Sequence, residues 1–132
     1  MNDHTYKITA QDNILFVDAS GPFDFDTMLQ YKSETLEAIE KLKHEPWGCI
    51  ACFHGSGVFS PEAEEELVLL TRERMRKNMA ALATVIQDSR QADIQQMQLS
   101  RVYESCNTKY HIFSDVKAAK TWLANYLKKQ PN

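Results

Sequence analysis

Residues Cys49 to Glu66 read CIACFHGSGVFSPEAEEE. An almost unbroken apolar run ends at His54, a glycine-serine turn follows, and an acid-rich amphipathic run opens behind Ser60 and Pro61. Unbroken apolar strands are the kind covered on both faces, as in parallel sheets. Ser60 is a good N-cap and proline suits the first helical position. A buried strand that feeds directly into a capped helix is half of a βαβ unit, which points to an α/β fold.

The same alternation extends in both directions. Tyr6–Thr9 and Ile14–Ala19 flank a short polar turn and predict a hairpin, while Ala81–Ile86 and Tyr110–Phe113 are further strand candidates. Four helices fall between or after them. The first is expected from about Asp26 to Lys43, with Met28, Leu29, Leu36, Ile39 and Leu42 on one stripe. The second is expected from Pro61 to about Met79. Its glutamates come early, and Arg72, Arg74, Arg76 and Lys77 come late, an order that suits the helix dipole and reads as a solvated face. Leu69 falls among those glutamates and marks a candidate partner contact. The third, around Asp93–Cys106, is glutamine-rich, with Ile94, Met97 and Val102 as its expected anchors. The fourth, Asp115–Leu127, has Ser114 as its expected cap and a clear apolar stripe. The order β-β-α-β-α-β-α-β-α predicts a mixed, mostly parallel five-stranded sheet flanked by helices, its first strand antiparallel, in one domain over 1–132.

The chain of 132 residues carries a net charge of −3. That balance argues against nucleic acid as a partner. The absence of a visible leader or a long apolar run predicts a soluble, cytoplasmic protein with no stable membrane insertion. Cys49, Cys52 and Cys106 are odd in number. Although Cys49 and Cys52 match C-x-x-C, residues three apart on a strand point to opposite faces, so structural cysteines are expected. The scattered histidines predict no metal site, and nothing in the sequence calls for a cofactor.

In such sheets ligands bind beyond the carboxyl ends of the strands. The segments that leave that edge carry Ser20, Gly21, Phe23, His54, Ser56, Phe59, Ser60, Asp88 and Arg90, a rim of acids, hydroxyls and exposed-looking phenylalanines. A hydrolase reading would take Ser56 or Ser60 as nucleophile, His54 as base and Asp88 as its orienting acid. The nucleophile elbow G-x-S-x-G is absent, however. A phosphate reading would use Gly55 and Gly57, but the lysine of a P-loop is missing and the nearby glutamates repel anions.

The strand order, GSGVFS before the second helix, NMAALATVIQDS and the ending YHIFSDVKAAKTWLANYL resemble the SpoIIAA-like group of STAS domains (sulphate-transporter and anti-sigma-factor-antagonist domains). The resemblance implies a non-enzymatic binding or regulatory domain. In bacterial anti-sigma antagonists a serine at the start of the second helix is phosphorylated to release a partner. Ser60 occupies the similar place, although Phe59 stands where the family generally has aspartate. The group is similar in fold to CRAL-TRIO-type lipid-transfer domains, which implies a cavity for an apolar ligand. Phe23, Phe25, Phe59, Met75, Met79 and Met97 are the residues that would line it. The expected occupants of the edge are thus a small apolar or anionic ligand or a protein partner, with a homodimer left open.

Overall fold

The computed structural model describes residues 6–21, 23–55 and 57–130. Its elements are β1 (Tyr6–Gln11), β2 (Ile14–Ala19), α1 (Phe25–Ile39), β3 (Trp47–His54), α2 (Pro61–Arg76), β4 (Met79–Gln87), α3 (Ala92–Ser105), β5 (Tyr110–Phe113) and α4 (Val116–Lys128). The strands lie in one sheet in sequence order. β1 pairs antiparallel with β2, and the other neighbours are parallel. The predicted order and strand directions are therefore those of the molecule.

Topology explains the layers. Crossovers of one hand that step steadily in one direction must place their helices on one face. Accordingly α1, α2 and α3 share a core with Leu15, Val17, Cys49, Ala51 and Phe53. α4 follows the last strand, is not a crossover, and covers the opposite face against Ile50, Cys52, Ala81, Ala83 and Val85. Cys49 and Cys52 thus belong to different cores, as strand alternation requires, and all three cysteines are free and buried. Among the described residues no helix is long and apolar enough to cross a membrane.

Several local expectations shift. β3 begins at Trp47, which is fully buried and donates its indole N–H to the Lys77 carbonyl at 2.6 Å. β4 begins at Met79, so α2 ends earlier than its periodicity suggests. α1 starts one residue before the expected Asp26, behind Asp24, whose carboxylate accepts from Thr27 N–H. Asp115, not Ser114, caps α4 by accepting from Ala118 N–H at 2.9 Å. In α3 the buried residues are Gln95, Leu99, Val102 and Tyr103, while Ile94 and Met97 face solvent. The helix is rotated relative to its apolar pattern because Gln95 and Gln98 find backbone partners inward, as described below.

Gly48 marks where α4 touches the sheet. A β-carbon there would sit 2.6 Å from Leu123 Cδ1, and Leu123 is fully buried. Gly48→Ala should therefore destabilise by about 1 to 3 kcal/mol through overpacking. Chemical denaturation would measure it, and the cost should shrink when Leu123 is also cut to alanine.

Candidate functional site

The edge beyond the carboxyl ends of the strands is built from the loops after β2 and β3. Phe23 and Phe59 form an isolated parallel bridge, and Ser60 N–H donates to the Phe23 carbonyl at 3.3 Å. Their rings stack at 4.7 Å, and Phe53 meets both edge-on. The sequence suggests exposed phenylalanines here. The molecule buries them, with 5% of Phe23 and 4% of Phe59 accessible, because the bridge turns both rings into the three-helix core.

Two glutamines hold this loop. Gln98 accepts from Phe59 N–H and donates to the Phe59 carbonyl, both at 3.0 Å. Gln95, almost wholly buried, donates to the carbonyls of Gly55 and Gly57. Gln98 offers donor and acceptor together and so imitates a strand neighbour, which is what irregular backbone at a buried edge requires, whereas Gln95 only donates and its Oε1 has no partner among the described residues. The glutamine richness of α3 was the signal for this contact, and its meaning depended on what lay opposite.

Ser60 is the N-cap of α2, with Oγ accepting from Ala63 N–H at 3.1 Å. Behind it the rings of Phe23, Phe53 and Phe59, with Tyr6, Met28 and Tyr31, enclose a cavity of about 10 Å³, room for at most one water. Of the residues expected to line an apolar space, Phe23 and Phe59 do so. Met97 is exposed on α3, and Met79 starts β4 at the opposite edge of the sheet.

His54 lies elsewhere. Phe53 points into the three-helix core, so alternation turns His54 to the face of α4. There its Nε2 is 2.8 Å from the Asp18 carboxylate, and its Nδ1 is 3.9 Å from that of Asp88. The nearest acid is therefore Asp18 rather than the expected Asp88. Alternation along ILFVDA puts Asp18 on the same face as Phe16, and the register of β2 on β3 brings it to the imidazole. Ser20 is exposed, Gly21 has φ 75°, and a β-carbon on Gly21 would press the Phe23 ring at 3.3 Å. Asp88 and Arg90 are exposed in the turn after β4. Ser56 lies outside the described residues. The nine candidate positions thus divide, with Phe23, Phe59 and Ser60 on the side of α1–α3 and His54 on the side of α4. Among the described residues no three of His, Cys, Asp and Glu converge as metal ligands would.

Sequence reading missed a second polar feature. Arg74, expected on the solvated face of α2, is 1% exposed. It donates to the Tyr31 hydroxyl at 2.5 Å, with no carboxylate paired to it among the described residues and its Nε unpartnered. Burial pushes the Tyr31 and Tyr103 hydroxyls and the Cys49 thiol up, which keeps all three neutral beside it. Among the described residues the core therefore holds a guanidinium with no carboxylate beside it, met instead by the hydroxyl and ring of Tyr31.

Around this edge lies apolar surface. Phe25 and Leu29 of α1, Val58 before α2, Leu69 of α2, and Ile94 and Met97 of α3 are the large apolar side chains exposed among the described residues, at 38 to 55%. The strands and α4 contribute none.

No family model matches the chain, and no curated protein matches it. Among solved structures it is similar to an uncharacterized protein of the DUF3478 family with a SpoIIAA-like fold, from Shewanella loihica PV-4. Identity is 19%, the alignment covers 93% of this chain and 97% of the other, and the TM-score is 0.61. The fold is SpoIIAA-like. At that identity the likeness extends to architecture alone, and the SpoIIAA-like fold is the framework on which the Ser60 edge and the His54 face are built.

Proposed function

We propose that the protein is a non-enzymatic binding module that docks a protein partner on the apolar rim around Ser60. The observation that carries this reading is the segregation of exposed Phe25, Leu29, Val58, Ile94 and Met97 to the first two turns and entry loops of α1–α3, with Leu69 further along α2. Exposed apolar surface gathered at one end of a molecule marks an interaction site. The neighbouring chemistry agrees with binding rather than turnover, since both His54 nitrogens face carboxylates and Ser60 Oγ serves as a cap. The aromatic cavity, at about 10 Å³, favours a protein partner over a small apolar ligand.

The test is a photo-cross-linking residue at position 58 or 97, compared with one at Lys41, exposed beyond the far end of α1, in cells that make the protein. A discrete adduct from the rim positions and none from Lys41 is the expected result. Equal adducts from all three, or none, would overturn the reading, as would labelling of any serine by a fluorophosphonate.

Regulation by a phosphate on Ser60 is the second form of the same reading, favoured by the position of that hydroxyl within the rim. Ser60→Ala should cost about 1 kcal/mol as a lost cap and keep the rim adduct. Ser60→Asp keeps a capping side chain, so its thermal midpoint should stay close to wild type while the added charge abolishes the adduct. Retention of the adduct by both variants would refute the switch.

A further inference from the structure

The opposite face of the sheet carries a different surface. α4 packs on β3, β4 and β5 and leaves the outer side of β1 and β2 largely uncovered. Between helix and hairpin runs a groove of about 570 Å³. Ile14, Phe16 and Ile50 make its floor, Lys120 and Ala124 its helical wall, and Thr9 part of its far rim.

Charge over the face that α4 covers is predominantly basic. Lys109, Lys117, Lys120, Lys128 and Lys129 are all exposed, and α4 contains no acidic residue. None of the five is in an ion pair among the described residues. By contrast Lys32, Lys43, Arg76, Lys77 and Arg101, on the side of α1–α3, each meet a carboxylate. Lys7 alternates onto the outer side of β1 as well, and the Lys120 ammonium stands over the Phe16 ring at 5.6 Å. The carboxylates on this face are Asp12 at one end of the groove, Asp18, which lies opposite Lys7 and is paired with His54, Asp88 beside the same imidazole, and Asp115, which caps α4. A chain of net charge −3 thus presents a face on which lysines outnumber carboxylates, and fields of this kind select partners of opposite sign.

We infer that this groove docks an acidic peptide segment of a second partner, with an apolar side chain on Ile14, Phe16 and Ile50 and carboxylates on Lys120 and its neighbours. An apolar floor beside fixed cations fits a chain that carries both kinds of group. A nucleic acid would need open aromatic faces, and Phe113, Trp122 and Tyr126 are half-buried and engaged with one another. A bilayer would need an exposed apolar anchor, and α4 has none. The inference is independent of the Ser60 rim, which lies on the other side of the sheet, and together the two faces make the protein a bridge between partners.

Fluorescence anisotropy with a labelled peptide of alternating Glu and Leu tests it, beside a labelled all-Glu peptide, oligothymidylate and phosphatidylserine vesicles. The Glu/Leu peptide should bind best and weaken as salt rises. Lys120→Glu should weaken it about tenfold or more, the scale of a lost charge pair. Ala124→Arg should also abolish binding by filling the groove, although it adds positive charge. Both positions are at the surface, so these variants keep the fold. No binding, binding unaffected by Ala124→Arg, or a preference for the oligonucleotide, the vesicles or the all-Glu peptide would overturn the inference. Self-association that Lys120→Glu dissolves would also overturn it, by making a second copy the occupant.

Discussion

Phe59→Ala is expected to destabilise the protein by about 3 to 5 kcal/mol, the range for deleting a buried aromatic ring. Phe59 is 4% exposed and touches Phe23 face to face and Phe53 edge-on. Its removal strips two ring contacts and enlarges a void that already borders Met28 and Tyr31. Urea denaturation of the variant gives the cost directly. A second observable separates a true cavity from local collapse: an apolar void stays dry and takes up small aromatic molecules, so benzene should raise the thermal midpoint of Phe59→Ala and not of wild type. A cost below about 1 kcal/mol would mean that the loop before α2 is not part of the cooperative core. The Ser60 edge would then be a mobile segment rather than a rigid docking surface.

The second large effect is expected at Tyr31. Tyr31→Phe removes the hydroxyl that accepts from Arg74 and leaves a buried guanidinium whose Nε is already without a partner. A hydrogen bond to a charged group contributes about 1.5 to 3 kcal/mol, and the orphaned donor adds a desolvation cost. A loss of about 2 to 3 kcal/mol follows. Arg74→Met in the Tyr31→Phe background should recover much of it, because the charge that needed the hydroxyl is gone. A double-mutant cycle over the two positions measures the coupling. Strict additivity would show that the Arg74–Tyr31 contact contributes nothing and that the guanidinium is served in some other way. The buried arginine ties α2 to α1 behind the aromatic cavity, so the same cycle reports how firmly the wall of the site is held.

Local pattern carried the architecture because it is written in nearest-neighbour terms. CIACF and ALATVI are buried on both faces, and the periodicity of the helical stretches located four helices. Strand alternation alone sent the sulfurs of Cys49 and Cys52 into separate cores. Local pattern misled wherever a polar side chain took an inward place. Ile94, Met97 and Val102 were the natural anchors of α3, yet only Val102 of the three is buried, and Gln95 is buried with it, since two carbonyls of the loop between β3 and α2 needed its amide. Arg74 belongs by spacing to a basic helix end, and its burial depends on Tyr31, 43 residues away.

The candidate site divides along the same line. Ser60 as a cap was legible, because a cap bonds to a backbone only three residues on. The separation of Ser60 from His54 required only strand parity, whereas the choice of Asp18 over Asp88 required register between strands. By itself, then, the sequence determined the order of elements, the strand directions, the capped junction and the acidic and basic helices. Tertiary structure alone decided that Phe23 and Phe59 close over the core, that glutamines stitch the loop to α3, and that one helix leaves half a sheet face open. Each of those outcomes depends on which groups meet across the fold, where the demand to satisfy a buried donor, acceptor or ring outweighs the preference of any single segment.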